Sequence, residues 1–165
     1  MRKRVRQFVS ALTAKITPAD ALFVRSLLDV REQALFFGMD KADQRHSIDV
    51  SETCLKILQA GNRQVNRQLL LKAALLHDVG KQAGNLKLHD RISVVLLRRF
   101  MPALFFRLAE KHGTPFHISL YHPDIGMNLC RRAGCPQDLL NLIARHQTGG
   151  PGVELEILMQ ADQLN

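Results

Sequence analysis

The stretch from Ala73 to Lys81 ends an apolar run with an adjacent histidine and aspartate, His77 and Asp78. Burying ionisable side chains without partners costs several kcal/mol, so such a pair is resolved either as a hydrogen-bonded ion pair or as a metal site. Helical spacing places further imidazole and carboxylate groups on apolar faces or helix ends. The complete set is His46, His77, Asp78, His122, His146 and Asp162.

The chemistry of these side chains favours a metal ion. Imidazole and carboxylate ligands with no thiolate suit Mn, Fe, Co, Ni or Zn in a site open to water, rather than a closed structural zinc site. A single inward histidine is usually a hydrogen-bonded core residue. Because so many such groups occur in one small domain, the pattern favours metal binding over the alternative, a purely structural polar core.

Almost every segment has a helical period. His46 shares a face with Val50, Cys54 and Ile57, on a helix that Asp43 is predicted to cap. The next helix, at about residues 66–79, is apolar on nearly all sides in its second half, which predicts the central helix of the fold.

The last third of the chain is predicted to form three further helices. One is expected to begin at His122-Pro123-Asp124 and to end at Gly134, because proline suits a first helical turn and glycine a helix end. The next is expected to begin at Pro136. The predicted inward residues of these helices are His122, Ile125, Leu129 and Ala133, then Leu139, Ile143 and His146, then Leu155, Leu158 and Asp162.

The earlier segments surround this set. Val5, Phe8, Leu12 and Ile16 predict a basic N-terminal helix, for which packing on the domain is favoured over lying on a membrane. Thr17 is placed to cap the next helix, which is expected to run through about Val30, followed by a short one to Phe37 that Gly38 ends.

The segment from Ile92 to about Lys111 predicts a helix divided at Pro102. Its arginines exclude a membrane span, which needs about 20 nearly uncharged residues. The cluster from Phe100 to Phe106 is predicted to lie in the core rather than to form a base-stacking platform.

Composition limits the class of protein. The 165 residues suit one domain, and 46% hydrophobic with 23% charged residues is ordinary for a soluble globule. A net charge of +8 favours anionic partners such as nucleotides, nucleic acid or an anionic membrane surface, or is simply a solvated basic surface. Cys54, Cys130 and Cys135 form no paired framework, which favours a reducing, cytoplasmic compartment.

The order of His46, His77-Asp78 and Asp162 resembles that of the HD-domain superfamily of metal-dependent phosphohydrolases. The form His77-Asp78-Val79-Gly80-Lys81 is similar to the HDIG variant of that family. The likeness runs from about Asp43 to Asn165, so residues 1–42 are expected to be a helical extension packed on an HD-type core at 43–165, within one domain.

The resemblance implies specific roles. His46, His77, Asp78 and Asp162 would hold one metal, while His122 and His146 match the ligands of a second metal that the aspartate bridges in binuclear members. The HD-GYP subfamily, which degrades cyclic di-GMP, is similar at His122-Pro123 and His146, but the stretch from Arg145 to Pro151 lacks its diagnostic loop. That difference argues against cyclic di-GMP as the substrate.

Three cations are candidates for substrate binding. Lys81 is expected to neutralise a phosphate oxygen, on the strength of the resemblance, although it would also offset the negative end of its helix. Arg45 and Arg145 each precede a proposed ligand and could reach the rim, but adjacent helical residues point about 100° apart, which leaves a solvated position equally open.

These observations predict an all-α bundle of seven to nine helices. The expected cofactor is a divalent transition metal, with two ions per chain, and the expected catalytic residues are Asp78 and Lys81. The expected activity is hydrolysis of a phosphoester or phosphoanhydride by a metal-activated water, with a nucleotide as the favoured substrate. The alternative is a non-catalytic HD-type domain that senses a nucleotide or binds a protein. The third hypothesis is a protein that binds nucleic acid or a membrane surface. No stable nucleic-acid complex and no transmembrane segment are expected. Whether the protein forms a homodimer is left open.

Overall fold

The computed structural model describes residues 15–61, 64–84 and 86–165. Over these residues the chain forms nine α-helices and one 3-10 segment without any strand, which confirms the predicted all-α bundle. The helices are α1 (Pro18–Leu27), α2 (Val30–Phe37), α3 (Lys41–Ala60), α4 (Arg67–Leu76), α5 (Leu88–Phe100), α6 (Pro102–Ala109), α7 (Pro115–Ala133), α8 (Gln137–Arg145) and α9 (Val153–Leu164), and the 3-10 segment (Val79–Gly84) lies between α4 and α5. Within this described part, no helix is both long and apolar enough to cross a membrane.

Side-chain caps begin the first two helices. Thr17 accepts a hydrogen bond from the backbone N–H of Asp20, whose carboxylate accepts one from the N–H of Thr17 in return. Asp29 caps α2 in the same way, so α1 ends at Leu27, slightly before the predicted end near Val30. The predicted helix carrying Val5, Phe8 and Leu12 lies outside the described residues.

Helix α4 is the central helix, as its apolar sequence predicts. Asn66 caps it, and its second half is almost completely buried. On its more exposed side, the Lys72 Nζ lies 2.6 Å from the Glu32 Oε2 and so joins α4 to α2. The helix ends at Leu76, and the chain turns through His77 and Asp78 into the 3-10 segment.

The predicted start of a helix at His122 is wrong. Helix α7 begins at Pro115 with Thr114 as its cap, and Pro123 lies inside it. The buried residues of α7 recur at every fourth position and form a row along the helix. The sequence analysis places Ile125, Leu129 and Ala133 inward, but these residues are half-buried and lie to one side of that row. The fully buried row is Ile118, His122, Gly126 and Cys130.

Two glycines allow α7 to lie directly against the 3-10 segment. A Cβ atom on Gly80 would be 2.0 Å from the carbonyl oxygen of His122 and 2.7 Å from the backbone nitrogen of Gly126. No side chain other than hydrogen fits there, since real Cβ contacts are longer. This close approach places the His77-Asp78 turn beside His122.

Helix α5 is joined to α3 by charge. The Arg91 Nη1 lies 2.8 Å from Asp43 Oδ1, and Nη2 lies 2.7 Å from Asp43 Oδ2 and 2.9 Å from Asp40 Oδ2. The prediction that Asp43 caps a helix is therefore wrong: α3 begins at Lys41, and Asp43 is a buried ion-pair partner in its first turn.

The segment between Leu88 and Ala109 divides at Pro102, as predicted. The prediction that its aromatic cluster is core is wrong for two of the three phenylalanines, because Phe100 and Phe106 are 73% and 52% exposed while Phe105 is completely buried. The predicted division of the chain at residue 42 stays a prediction, although Val24 and Phe36 share one core with α4.

Candidate metal centre

The predicted imidazole and carboxylate groups come together at the C-terminal end of α4. Helix α3 carries His46, the turn after α4 carries His77 and Asp78, and α7 carries His122. His146 directly follows α8, and Asp162 lies near the end of α9. Five separate helices thus supply one cluster, which agrees with the inward positions that periodicity predicts.

Asp78 lies between two groups of histidines. Its Oδ2 atom is 3.7 Å from the Nε2 of His46 and 3.5 Å from the Nε2 of His77, whereas its Oδ1 atom is 3.1 Å from the Nε2 of His122. His46, His77 and Asp78 form one group with metal-binding spacing, and Asp78, His122 and His146 form another. One carboxylate is therefore shared by two adjacent candidate metal positions.

Asp162 completes the first group. Its Oδ1 atom is 3.0 Å from the Nε2 of His46 and 3.8 Å from the Nε2 of His77. The ring centroids of His77 and His146 lie 5.1 Å apart, and those of His122 and His146 lie 5.3 Å apart, so the two groups are continuous.

Three histidines are oriented by carbonyl groups of their own helices. In each case Nδ1–H donates to the backbone carbonyl three residues earlier, at 2.9 Å for His77, 2.7 Å for His146 and 3.1 Å for His122. The carbonyls that face His77 and His146 are free because α4 and α8 end there. The carbonyl that faces His122 belongs to Ser119, whose normal helical donor would be the N–H that Pro123 lacks.

This arrangement leaves Nε2 of each ring unprotonated and directed into the cluster. The Nε2 atoms of His77 and His146 are buried and have no hydrogen-bond partner among the described residues. Such atoms are rare in proteins and call for an additional ligand. Together with the carboxylates, they fit a divalent metal ion.

The protonation states also fit a metal. Burial disfavours the imidazolium form and lowers the pKa of His146 to about 3, helped by the charge of His77, and it lowers the pKa of His77 as well. Burial opposes ionisation of Asp78, but the charges of Lys81 and His77 outweigh this effect and hold its pKa well below the usual value. At neutral pH His77 and His146 therefore offer neutral imidazoles and Asp78 offers a carboxylate, the forms that bind metals.

His46 behaves differently from the deeper histidines. Burial lowers its pKa, but the hydrogen bond to Asp162 and the charge of Asp78 outweigh burial, so the pKa of His46 is raised overall. The pKa of Asp162 is lowered, because its hydrogen bond to His46 and the charge of His77 outweigh burial. These two residues form the more exposed edge of the cluster.

Lys81 reaches into the cluster, and its role in binding a phosphate oxygen stays a prediction. Its Nζ lies 2.5 Å from the Asp78 Oδ2, the oxygen that faces His46 and His77. Burial lowers the pKa of Lys81, but the charges of Asp78 and Asp43 outweigh this effect and raise it. The lysine follows the end of α4 and pairs with Asp78.

The two predicted rim arginines are placed differently. Arg45 lies 2.9 Å from both Asp20 and Asp49 and 3.5 Å from Glu52, and thus it is held by carboxylates outside the cluster. Arg145 is exposed and lies beside Gly150 in the loop after α8. The role of both in substrate binding stays a prediction.

Two residues near the cluster were not among the predicted site residues. The Nε2 of Gln147 lies 3.2 Å from the Nε2 of His122, although its sequence offers no signal beyond its position next to His146. Arg91 approaches Lys81 through their shared partner Asp43. The buried, charge-paired role of Asp43 could not be recognised without knowing that α5 folds back onto α3.

Comparison with family models identifies the chain's class. The model of the HD domain matches residues 44–165, which is most of the chain, and the protein therefore belongs to the HD-domain family. Comparison with curated proteins and with solved structures finds no match for this chain. The family consists in general of metal-dependent phosphohydrolases, and the clustered histidines and aspartates can bind a metal ion.

Proposed function

We propose that this protein is a metal-dependent phosphohydrolase that cleaves a phosphoester or phosphoanhydride bond of a nucleotide. The observation that carries the proposal is the position of Asp78, whose two oxygens face separate groups of histidines. Membership of the HD-domain family and the net charge of +8 support a phosphorylated, anionic substrate.

The proposed ligands divide between two ions. His46, His77, Asp78 and Asp162 would hold one ion, and His122 and His146 would hold a second that shares Asp78. The donor set suits Mn, Fe, Co, Ni or Zn. Ions bound there would neutralise negative charge on phosphate oxygens and lower the pKa of a water molecule, which would act as the nucleophile.

The chain itself contributes position and charge. Hydrogen bonds from Nδ1 keep His77, His122 and His146 in the tautomer that presents Nε2 to the cluster. Lys81 brings a cation to the edge of the cluster, where it would bind a non-bridging phosphate oxygen. Both the histidine orientation and the lysine charge are in place before substrate reacts, so the site pays little free energy for reorganisation during the chemical step.

The first experiment counts metal ions per chain by elemental analysis after reconstitution with Mn or Fe. The wild type should bind two ions per chain, and the double variant His122→Ala, His146→Ala should retain one, because it keeps the other candidate group. The matched control is His89→Ala, which removes an exposed histidine outside the cluster and should leave the count unchanged.

The second experiment measures hydrolysis of a panel of nucleotide phosphoesters and phosphoanhydrides by the same proteins. Turnover should require metal and disappear in Asp78→Ala, while His89→Ala keeps it. Metal-independent turnover in Asp78→Ala would refute the proposed site. Stoichiometric metal without turnover on any substrate would instead favour a non-catalytic, nucleotide-sensing HD domain.

A further inference from the structure

Helices α5 and α6 and the residue that joins them carry seven of the twelve large apolar side chains that are exposed among the described residues. Val94 is the only buried residue of α5, and only Phe105 and Ala109 are buried in α6. We define the hairpin face as the large apolar side chains that these helices and their junction expose. They are Leu88, Ile92, Val95, Leu96, Phe100, Met101 and Phe106, with exposed fractions from 40% to 73%.

The members of the hairpin face that lie on α5 form a continuous strip. Residues 88, 92, 96 and 100 follow one another at intervals of four, and residue 95 lies three positions after 92 and seven after 88, so all five lie on the same side of α5. Among the residues that the structure describes, the other exposed large apolar side chains occur singly or at the ends of four other helices: Leu22, Val30, Tyr121, Val153 and Leu164. Scattered apolar side chains are normal on protein surfaces, whereas a contiguous strip marks an interaction site.

Positive charge lies within the hairpin face and beside it. Between Asp90 and Glu110 the sequence contains four arginines and no acidic residue. Arg98, Arg99 and Arg107 are exposed, and none of them forms a salt bridge within the described part of the chain. The Arg99 guanidinium lies 5.9 Å from the centre of the Phe100 ring, so cation and apolar group share one surface.

The geometry points to an anionic lipid surface as the partner of the hairpin face. Phe100, Met101 and Phe106 would enter the headgroup region, while Arg99 and Arg107 would pair with lipid phosphates. An amphipathic helix with apolar residues on one face and basic residues beside them binds membranes in this manner. Each basic residue near an anionic membrane contributes roughly 1 kcal/mol.

The charge pattern disfavours a second copy of this chain as the occupant. A two-fold symmetric contact would place the same surface on both sides of the interface. Because residues 91–109 include no carboxylate, such a contact would bring arginines together without counter-ions. Nucleic acid would satisfy the arginines but would leave Phe100 and Met101 without apolar contacts.

This inference is independent of the proposed hydrolase activity. Neither α5 nor α6 contributes a residue to the candidate metal groups. Membrane binding would place the site near a surface without changing its ligands. The two proposals can therefore fail separately.

The test is sedimentation of the full-length protein with vesicles. We expect binding to vesicles made of equal parts of phosphatidylcholine and phosphatidylglycerol, but not to vesicles of phosphatidylcholine alone. The double variant Arg99→Gln, Arg107→Gln should weaken binding by roughly 30-fold, since each lost charge is worth about fivefold. Phe100→Ser, Phe106→Ser should also abolish most binding, and both pairs are exposed, so the fold should be preserved.

Two matched controls remove the same groups elsewhere. Val30→Ser deletes an exposed apolar side chain on α2, and Lys56→Gln, Arg132→Gln deletes two exposed charges on α3 and α7. Loss of binding in these controls equal to that in the hairpin variants would overturn the proposal. Vesicle binding that the hairpin substitutions leave unchanged would also overturn the proposal, because it would assign the binding to another basic segment. A dimer in solution that Phe100→Ser converts to a monomer would overturn it as well.

Discussion

At the scale of single residues, His122 depends on its neighbour Pro123. Proline inside a helix removes a hydrogen bond and costs about 3 kcal/mol or more. Here the missing N–H leaves the Ser119 carbonyl free to accept from Nδ1 of His122. The unfavourable residue therefore lies at a position where it fixes the orientation of a candidate ligand.

The substitution Pro123→Ala should have two effects of opposite sign. The restored backbone N–H will bond to Ser119 and compete with His122, so we expect metal affinity at the second position to fall about tenfold or more. The helix itself should become more stable, and the metal-free protein should unfold at a higher temperature. Isothermal titration with Mn and thermal unfolding in chelator measure the two effects.

Pro102→Ala is the control for this experiment. Pro102 lies in the first turn of α6, where a helix has no use for the missing N–H. The substitution Pro102→Ala should therefore have little effect on metal affinity or on stability. If Pro123→Ala neither weakened metal binding nor changed the orientation of the His122 ring as measured by NMR, the proposed role of Pro123 would be wrong.

The buried histidine His146 predicts an acid-sensitive apo protein. Its pKa is about 3 in the folded state and near 6.5 when unfolded, so the unfolded chain binds more protons between these values. Its contribution to stability is complete above pH 6.5 and is lost progressively as the pH falls toward 3. Between pH 6.5 and 5.5 this group alone should reduce the free energy of unfolding by about 1 kcal/mol.

Urea unfolding in chelator at several pH values measures this effect. His146→Gln lacks the titrating ring and should lose less stability than the wild type over the same interval. His46 has a raised pKa and acts in the opposite direction, so the comparison between the two proteins isolates His146. Identical pH profiles would show that His146 does not titrate as its burial requires.

At the scale of elements, the contact between the 3-10 segment and α7 decides whether the two histidine groups meet. Gly80 and Gly126 face each other there, and a Cβ on Gly126 would be 3.1 Å from the Gly80 nitrogen. Asp78 and His122 lie immediately beside this contact. A small backbone displacement would therefore separate the shared carboxylate from the second group.

We expect Gly80→Ala to destabilise the protein by about 3 kcal/mol, because the added methyl group would overlap backbone atoms that cannot rotate away. The metal count should also fall toward one ion per chain, as α7 is displaced from Asp78. Gly113→Ala is the comparison, since Gly113 has a positive φ of 76° but no neighbour near its missing Cβ.

Gly113→Ala should cost about 1 kcal/mol through backbone strain alone and leave the metal count unchanged. Chemical denaturation and elemental analysis distinguish the two variants. A Gly80→Ala protein with wild-type stability and metal content would mean that the close approach is not required for the site.

At the scale of the whole molecule, ligands from five helices link metal binding to folding. A metal that binds only the folded state stabilises it by about 2.7 kcal/mol at a concentration 100 times its Kd. For a chain of this size we therefore expect Mn or Fe to raise the Tm by roughly 5–10 °C. Calorimetry with and without metal measures the shift.

His77→Ala should reduce that shift strongly, because His77 lies in the most enclosed part of the cluster. His112→Ala, which removes an exposed histidine outside the cluster, should show the full shift. Equal shifts in both variants would mean that the metal binds elsewhere on the chain.

The sequence by itself determined the helical class and the set of candidate ligands. Apolar side chains at helical spacing define a buried face, and ionisable groups on that face have few physical explanations. For the same reason the enclosed position of α4 could be recognised from its apolar run. The residues on such faces or at the ends of such helices are His46, His77, Asp78, His122, His146 and Asp162.

Only the tertiary structure decided how these groups are oriented and paired. Proline is equally typical of a helix start, so the interior position of Pro123 depends on Thr114 capping α7 earlier. The pairing of Asp43 with Arg91, and the exposure of Phe100 and Phe106, depend on where α5 and α6 pack. Local spacing specifies which face of a helix is apolar, but contacts between distant segments decide which neighbour that face meets.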